Sequence, residues 1–175
     1  MKKNPGCCYI GKPQVGAQGD GIFLFRELKD LQWKGSELLI QRYIDKPLLL
    51  DGYKFDLRIY VPLIGTGSDL HAFVADEGLA RFCTEQYKKP TTQNLKNQYM
   101  HLTNYSLNKM SDKYVHEPSS ESEIMEINNA TKRTLTALYK QLEAMEIDTS
   151  VIKESIRYSC QGIMQMLANM IAHNS

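Results

Sequence analysis

The stretch that most constrains this fold runs from residue 41 to residue 60, QRYIDKPLLLDGYKFDLRIY. It turns at an Asp-Gly pair and continues into a segment that carries Lys54, Asp56 and Arg58 at every second position. Alternate residues of a strand share a face, so the three charges are predicted to point one way and the intervening apolar side chains the other. The pattern fits the wall of a polar site, and it fits a solvated face of an antiparallel sheet equally well.

The composition predicts a single soluble globular core. Of the 175 residues, 42% are apolar and 23% are charged, and the net charge is +1. This balance gives no argument from charge for nucleic acid or for an anionic membrane surface. No apolar run approaches the roughly 20 residues that a membrane helix needs, and the basic amino terminus lacks the apolar region of a secretory signal. We therefore expect a cytosolic protein without nucleic-acid or membrane partners.

The four cysteines predict structural thiols. Cys7, Cys8, Cys83 and Cys160 form no Cys-x-x-Cys pair, and none has a histidine at zinc spacing. Reduced thiols in an intracellular protein explain this pattern best. Cys83 is predicted to be a small buried apolar residue.

A glycine-rich loop follows the first extended run. That run leads to Lys12, and three glycines, Gly16, Gly19 and Gly21, precede the apolar run 22–25. Strand, loop and strand indicate a hairpin, unlike the strand, loop and helix of a P-loop. Glycine lets backbone N–H groups approach an anion closely, and a lysine adds a compact charge. A flexible hairpin tip accounts for the loop at least as well.

Further strands are predicted from apolar runs and turn signals. A short polar connection with helical propensity spans 26–35, and another turn lies at 65–68. Pro62 lies within one run and indicates an edge strand or a bulge. The predicted strands cover residues 37–44, 58–64, 70–75 and 77–82, and residues 84–100 are predicted to be polar and irregular.

Helical periodicity begins at Glu123. Apolar residues then recur every three or four positions to about Met145, which predicts an amphipathic helix capped by Ser120 or Ser122. A second helix is predicted from about Thr149, with Asp148 or Thr149 as its cap. The residues predicted to form its buried side are Val151, Ile152, Ile156, Cys160, Ile163, Met164 and Leu167.

Four ordered blocks up to Lys109 resemble a known family. They read YIGKP…GAQGDGIFLF, LLIQRYIDKPLLLDGYKFDLRIYV, EGLARF and MHLTNYSLNK. The chain resembles the tubulin–tyrosine ligase-like family, specifically its polyglutamylase branch. The resemblance implies an α+β fold of the ATP-grasp type, with antiparallel sheets and two C-terminal helices. In that fold ATP lies between two antiparallel sheets, and a carboxylate becomes an acyl-phosphate before an amine attacks it.

The resemblance also implies a nucleotide site. Lys12 would contact the ATP phosphates under the flexible loop 16–21, and Lys54 and Asp56 would reach the nucleotide and the transferred glutamate. The residues implied to bind the cofactor are Lys12, Gln18, Gly19, Gly21, Gln41, Arg42, Tyr43, Ile44, Lys54, Asp56, Thr103 and Asn104. The adenine pocket would be lined by Gln41, Arg42 and Ile44, and the phosphates and substrate would lie near His101, Thr103 and Asn104.

Catalytic roles are implied for Arg58, Arg81 and His101. Arg81 is placed like the family's arginine that pairs with the carboxylate of the incoming amino acid, a task suited to a bidentate guanidinium. Transfer of a γ-phosphoryl group to a carboxylate gathers negative charge. Catalysis would therefore depend mainly on positioning and on electrostatic stabilisation by lysine, arginine and metal.

Structural explanations stay open for three of these residues. Lys12 could be a surface lysine at a turn. Asp56 could form a plain ion pair with Arg58 or Lys54 on the sheet. His101 could be a hydrogen-bonded loop residue and not a direct ligand.

The chain departs from the family pattern in two respects. Asp20 stands where the family's loop usually carries arginine, and an acid beside phosphates would repel them unless it points away. The family's Mg²⁺ ligands lie in a segment resembling DxLLD…KPWLLEVN, which is expected to be missing here, as is the family's N-terminal domain. Mg²⁺ prefers carboxylate and phosphate oxygens, so no metal ligands are predicted in this chain. We expect a partial fold, with a nucleotide-binding sheet region at 1–110 and a helical segment at 111–175.

The resemblance implies an ATP-dependent ligase that adds glutamate to glutamate side chains of tubulin tails, using ATP and Mg²⁺. Its expected partners are the acidic C-terminal tails of tubulin and free glutamate, and its expected location is the cytoplasm, at microtubules or at a cilium or basal body. The chain alone is expected to be an incomplete, weakly active or inactive fragment. Two alternatives stay open: a degenerate non-catalytic module that binds tubulin or another protein, and a ligase that adds glycine by the same chemistry.

Overall fold

The computed structural model describes residues 6–16, 19–31, 33, 35, 37–65, 69–116 and 130–173. These residues form two compact units that alternate along the chain. The first unit comprises the described residues of 6–56, 81–116 and 130–132, and the second those of 57–80 and 133–173. The expected division into 1–110 and 111–175 stays a prediction.

The described elements combine short strands with helices of very different length. The helices are α1 (Gln98–His101), α2 (Tyr105–Asn108), α3 (Leu135–Ala144) and α4 (Thr149–His173), with one 3-10 turn at Leu28–Asp30. The strands are β1 (Tyr9–Pro13), β2 (Phe23–Phe25), β3 (Leu38–Arg42), β4 (Leu49–Leu50), β5 (Tyr53–Arg58), β6 (Leu63–Ile64), β7 (His71–Ala72), β8 (Leu79–Phe82) and β9 (Lys132–Thr134).

The first unit begins with a three-stranded antiparallel sheet in the order β2-β1-β3. Tyr9 pairs with Phe25 and Gly11 with Phe23, which confirms the predicted hairpin around the glycine-rich loop. The Phe23 ring lies directly over Gly11, where a Cβ atom would be 2.8 Å from the ring Cζ. A side chain at this position would therefore force the Phe23 ring to move.

A four-stranded sheet has the order β4-β5-β8-β9. Strands β4 and β5 pair antiparallel across Asp51 and Gly52, whose φ angles are 53° and 80°. Positive φ at both central residues is the requirement of a two-residue hairpin turn, so the predicted turn is confirmed. On the apolar side of β5, Phe55 packs against Phe82 with ring centroids 5.3 Å apart.

The core of the first unit gathers Cys8, Leu24, Tyr43 and Leu102, each less than a tenth exposed. These residues come from the segment before β1, from β2, from the segment after β3 and from the segment after α1. Burying a large apolar side chain contributes about 1.5–3 kcal/mol relative to leaving it exposed. The cluster therefore holds together the same segments that carry the predicted nucleotide-binding residues. Partly buried apolar residues around it are Ile10, Ile22, Tyr87, Leu95 and Leu107.

Two of the cysteines in the first unit are buried structural thiols, as predicted. Cys83 is 2% exposed, and its Sγ donates to the backbone oxygen of Leu102 at 3.4 Å. Burial raises the pKa of Cys83 to about 12 and that of Cys8 to about 11. Both thiols therefore stay protonated near neutral pH, and neither is a reactive thiolate.

The second unit contains the β6–β7 hairpin, in which Leu63 pairs with Ala72. The hairpin was predicted, but its strands are shorter than expected, because β5 ends at Arg58 and β6 begins only at Leu63. Pro62 lies between them and has no N–H to donate to a sheet. Its carbonyl oxygen still accepts from the Phe73 N–H at 3.0 Å. The missing donor explains why the predicted strand over 58–64 is interrupted.

Helix α3 begins later than the periodicity predicted. Residues 132–134 form β9, so the helix predicted from Glu123 is wrong for these residues. Its predicted start and its candidate caps, Ser120 and Ser122, lie outside the described residues. β-branched threonines favour extended backbone around β9, a preference that the three- and four-residue spacing does not reveal.

The remainder of α3 follows the prediction. Leu135, Leu138 and Leu142 are each no more than 2% exposed and form its buried face. Thr134 is the N-cap, with its side-chain oxygen accepting from the Ala137 N–H at 3.1 Å. A threonine cap satisfies one of the free N–H groups of the first turn.

Helix α4 begins where predicted, with Asp148 Oδ1 accepting from the Ser150 N–H at 2.9 Å. Its predicted buried side is only partly correct. Val151, Ile163 and Leu167 are 59%, 50% and 38% exposed, so their predicted burial is wrong. Helical spacing identifies residues that share a face but not the element that covers it. The other predicted residues are partly buried: Ile152, Ile156, Cys160 and Met164.

No helix in the described part of the chain is both long enough and apolar enough to cross a membrane.

The carboxylate of Glu77 holds the start of α3. Its Oε1 accepts from the N–H groups of Leu135 at 2.8 Å and of Gly78 at 2.9 Å. Its Oε2 accepts from the Thr136 hydroxyl at 2.8 Å. Burial by itself would raise the pKa of Glu77, but these hydrogen bonds outweigh it and lower the pKa. A negative charge at this position also complements the helix dipole.

Replacing Glu77 with alanine should lower the free energy of unfolding by about 1 kcal/mol, because first-turn N–H groups lose their acceptor. The folded-state pKa is lowered. The contribution is therefore complete above the ordinary carboxyl pKa of about 4.3 and is lost as pH falls through the folded-state value. Urea unfolding followed by circular dichroism, at pH 7 and at pH 3, measures both effects. Glu154→Ala, at an exposed position of α4, is the control, and an equal loss in the two variants would contradict the capping role.

Candidate functional site

The ammonium group of Lys54 is held inside the first unit. Its Nζ donates to the backbone oxygen of His101 at 2.6 Å and to the hydroxyl of Tyr43 at 3.0 Å. The same atom lies 4.5 Å from the centroid of the Tyr43 ring, within cation–π range. Burial lowers the pKa of Lys54, Cys83 and Asp56 act in the opposite direction, and the charge of Lys12 makes the smallest contribution, a further lowering. Lys54 is therefore a positioned charge and not a mobile surface lysine.

Lys12 projects from β1 toward the same region. Its Nζ donates to Oε1 of Gln41 on the neighbouring strand β3, at 2.7 Å. Its charge is close enough to affect the pKa of Lys54. Two ammonium groups in one neighbourhood repel each other, and a bound anion would relieve this repulsion. The pair forms a candidate anion site.

The glycine-rich loop meets the segment that follows α1. Gly19 has a φ of 95°, and a Cβ atom added to it would lie only 2.7 Å from Cγ of Asn104. Gly21 has a φ of 67° and packs against Pro13 in the same way, with a separation of 2.9 Å. Asp20 is exposed, and Gln18 lies outside the described residues. The loop thus approaches Asn104 as closely as only glycine permits.

His101 is enclosed by two tyrosines. It is fully buried, and the rings of Tyr43 and Tyr87 stand edge-on to it at centroid distances of 5.8 Å. Its Nδ1 lies 3.3 Å from the Tyr43 hydroxyl. Its Nε2 makes no hydrogen bond within the described residues, although the backbone of Asn94 lies close enough to favour the protonated ring. The enclosed ring supports the alternative of a hydrogen-bonded residue, and the catalytic role of His101 stays a prediction.

The imidazole of His101 is neutral at pH 7. Burial lowers its pKa to about 4, with the positive charge of Lys54 as the second cause. A neutral ring costs less to bury than an imidazolium beside a lysine. His101 therefore presents its backbone oxygen to Lys54 without adding a second positive charge.

Arg81 on β8 and Asp56 on β5 form a bidentate ion pair. Arg81 Nε donates to Asp56 Oδ1 at 2.9 Å, and Nη2 donates to Oδ2. The side chains are 23% and 36% exposed. Asp56 thus forms an ion pair, as one alternative predicted, but its partner is Arg81 and not Arg58 or Lys54. The role of Arg81 in binding an amino-acid carboxylate stays a prediction, and such a carboxylate would have to share or displace Asp56.

The residues predicted around adenine differ in exposure. Gln41, Arg42 and Ile44 are exposed, with Ile44 at 73%, while Tyr43 is 5% exposed and belongs to the core. The Tyr43 N–H donates to the backbone oxygen of Cys8 at 2.8 Å, which extends the pairing of β1 with β3. The buried tyrosine anchors the strand end and leaves the exposed neighbours accessible to a ligand.

The remaining predicted residues lie in two places. Thr103 is buried and Asn104 is partly buried, in the segment between α1 and α2. Arg58 belongs to the second unit, is exposed, and has its guanidinium 6.0 Å from the Tyr60 ring centroid. The first unit therefore brings together Lys12, Gly19, Lys54 and the 101–104 segment.

Sequence reasoning missed two residues that shape this region. Tyr87, in the stretch predicted to be irregular, flanks His101 and donates its hydroxyl to the Asp45 backbone oxygen at 3.0 Å. Asn108 is 1% exposed and forms hydrogen bonds with Thr84 and with the backbone oxygen of Leu102. An aromatic residue within a polar stretch was a usable signal for Tyr87. Asn108 gave none, since asparagine in a short helix is usually exposed.

One cavity in the first unit lies away from these residues. It has a volume of about 540 Å³. Its lining includes none of the predicted site residues; it is formed by Phe23, Leu24, Lys29, Asp30, Thr92, Leu95, Lys96 and Gln98.

Comparison with known proteins yields one family. The sequence model of the Tubulin-tyrosine ligase family matches residues 1–173. The chain is 43% identical over 166 residues to tubulin polyglutamylase ttll6 of Danio rerio, covering 95% of this chain and 20% of that protein. It is 41% identical over 167 residues to tubulin polyglutamylase ttll-11 of Caenorhabditis elegans, covering 94% and 23%. With human tubulin polyglutamylase TTLL6 the identity is 49% over 114 residues, covering 65% and 13%. The chain thus spans about a fifth of the length of such relatives.

Removing the charge of Lys54 should raise the pKa of His101 from about 4. The rise should be incomplete, since burial remains and is the larger cause of the shift. Titration of the His101 ring protons by NMR, in the unsubstituted chain and in Lys54→Met, measures both values. Lys153→Met, which removes a charge from α4, is the matched control. A His101 pKa that does not respond to Lys54→Met would contradict the described arrangement.

Proposed function

The chain belongs to the tubulin-tyrosine ligase family, and from this premise we propose that it forms the nucleotide-binding part of an ATP-dependent ligase that adds glutamate to glutamate side chains of tubulin tails. The relatives support glutamate as the added amino acid, because each of those compared is named a tubulin polyglutamylase. We propose the acidic C-terminal tails of tubulin and free glutamate as its partners. The proposed location is the cytoplasm, at microtubules or at a cilium or basal body.

One observation carries the proposal: positions from separate sequence blocks converge within the first unit. Lys54 bonds the carbonyl of His101, Gly19 abuts Asn104, and Lys12 donates to Gln41 between β1 and β3 of the same unit. A glycine-rich loop lets backbone N–H groups approach an anion closely, and lysine ammonium groups in the same unit would add positive charge, a combination that suits a polyphosphate. A plain solvated sheet face would not place a lysine against a buried carbonyl.

We propose an ATP-grasp arrangement for these sheets. Its support is an antiparallel hairpin around the glycine-rich loop, together with a second antiparallel pair, β4–β5, that carries Lys54. The exposed residues at the end of β3 would bind the adenine base of ATP, while the buried Tyr43 fixes that strand end in the core.

The site residues of the first unit would have distinct roles in binding ATP. Bound ATP would supply the phosphoryl group that activates a carboxylate as an acyl-phosphate. Lys12 and Lys54 would bind phosphate oxygens as compact charges. Gln41 orients Lys12, and the His101 carbonyl orients Lys54, so neither ammonium group must be ordered at the moment of binding. Charges fixed in advance stabilise a transition state more effectively than mobile ones.

Arg81 would act at the amino-acid end of the site. Its ion pair with Asp56 fixes the guanidinium plane between the neighbouring strands β5 and β8. We propose that the carboxylate of the incoming amino acid competes with Asp56 for this guanidinium. Such an exchange keeps the arginine charge compensated before and after the amino acid binds.

Mg²⁺ is assigned no place in this proposal. Among the residues that the structure describes, no group of three or more His, Cys, Asp or Glu side chains is arranged to hold a metal ion. Asp56, an acid close to Lys54, is engaged by Arg81. The roles proposed above therefore depend on lysine, arginine and backbone groups.

Replacing Lys12 with alanine should weaken ATP binding by about tenfold or more, because one charge-assisted hydrogen bond to phosphate is lost. Isothermal titration calorimetry of the 175-residue chain with ATP, with and without Mg²⁺, measures the affinity. The control is Lys140→Ala, which removes an exposed lysine of α3. Absence of ATP binding by the unsubstituted chain would favour the non-catalytic binding module. Equal ATP affinity of the unsubstituted chain and of Lys12→Ala would mean that Lys12 is an ordinary surface lysine.

Replacing Arg81 with lysine should raise the apparent KM for glutamate about tenfold and leave ATP affinity nearly unchanged, since a single ammonium cannot bind a carboxylate at two points. The measurement is ATP-dependent incorporation of radiolabelled glutamate into tubulin by a full-length ligase that contains this chain, with radiolabelled glycine in parallel. Incorporation of glycine alone would identify a glycine ligase. An equal loss of ATP and glutamate use would mean that Arg81 is structural.

A further inference from the structure

Asn108 occupies a position in the first unit that the proposed mechanism does not explain. It is 1% exposed although it lies on the four-residue helix α2. Its Oδ1 accepts from both the N–H and the hydroxyl of Thr84, at 3.0 and 3.1 Å. Its Nδ2 donates to the backbone oxygens of Leu102 and Asn104, at 2.7 and 3.0 Å. The carboxamide therefore uses all four of its strong hydrogen-bonding positions.

The orientation of this carboxamide follows from its partners. The Thr84 N–H can only donate, and the carbonyls of Leu102 and Asn104 can only accept. Rotating the carboxamide by half a turn would place donor against donor and acceptor against acceptors. Asn108 thus joins the segment after β8 to the segment between α1 and α2 in one fixed geometry.

The segment that Asn108 holds also adjoins the candidate anion site. The carbonyls that Asn108 holds flank a short segment, residues 102–104, which follows His101. The His101 carbonyl holds the Lys54 ammonium, and Asn104 abuts Gly19 of the glycine-rich loop. A shift of this segment would therefore move the acceptor of Lys54 and the surface against which the loop rests.

We propose that Asn108 is a positioning residue of the nucleotide site, acting through the 101–104 segment on Lys54. This inference rests on the proposed function, because it assigns the positioned lysine to the phosphates of ATP. It goes beyond that function by naming a residue that never contacts the nucleotide. Buried partners that orient binding groups typically contribute about ten- to hundredfold to affinity or activity.

The first experiment is a double-mutant cycle on ATP affinity. The variants are Asn108→Leu, similar in size but without hydrogen-bonding groups, Lys54→Met, and both together, each measured by calorimetry. If Asn108 acts through Lys54, its substitution should weaken ATP binding about tenfold in the unsubstituted chain and change little once Lys54 is absent. A purely structural residue would give losses that multiply in the double variant.

A second pair of variants covers the case in which Asn108→Leu does not fold. Thr84→Val removes one hydrogen bond to Oδ1 and keeps the shape, whereas Thr84→Ser keeps the hydroxyl. We expect Thr84→Val to weaken ATP binding more than adenosine binding, and Thr84→Ser to bind both like the unsubstituted chain. Leu138→Val, a core substitution in the second unit, controls for a general loss of stability.

The possible outcomes separate this inference from the function on which it rests. ATP binding by the unsubstituted chain, with losses that multiply in the cycle or with equal losses for ATP and adenosine, would overturn the positioning role alone. Absence of ATP binding by the unsubstituted chain would overturn the proposed function, and the inference with it. A loss at Asn108 that disappears in the Lys54→Met background would support both.

Discussion

The arrangement of the first unit depends on a lysine charge that is held beside the apolar core. The Lys54 ammonium can stay there because a backbone carbonyl and a tyrosine hydroxyl replace part of its water shell. The carbonyl belongs to His101, whose ring must stay neutral so that no second charge accumulates. The tyrosine is a member of the apolar cluster that also holds β2 and the segment after α1. Core packing and ligand chemistry therefore share the same side chains.

The sequence predicted those parts of the fold that depend on local chemistry. The Asp51-Gly52 turn and the glycine hairpin were both readable, because backbone sterics and strand geometry act over a few residues. The predictions were wrong where a distant partner decides. Residues 132–134 form β9 and not helix, and three residues of the predicted buried side of α4 are exposed. The spacing of apolar residues describes one helix or strand by itself, whereas strand pairing and the burial of a helix face depend on a second element.

The candidate site was likewise predicted only in part. Residue types in the four blocks indicated which groups matter, but not which groups contact each other. Asp56 was considered as a partner of Arg58 or Lys54, and it pairs with Arg81, 25 positions away. His101 gave no signal of its burial between two tyrosines. Asn108 was unpredictable for the same reason, since its four hydrogen bonds go to three residues in two separate segments.

The contact between Gly19 and Asn104 has an evolutionary consequence. A Cβ atom added to Gly19, where φ is 95°, would lie 2.7 Å from Asn104 Cγ, so position 19 cannot accept a side chain unless residue 104 becomes smaller and the backbone relaxes. A smaller residue at position 104, in contrast, is compatible with glycine at position 19. A substitution at position 19 should therefore accompany or follow a substitution 85 residues later and should not precede it.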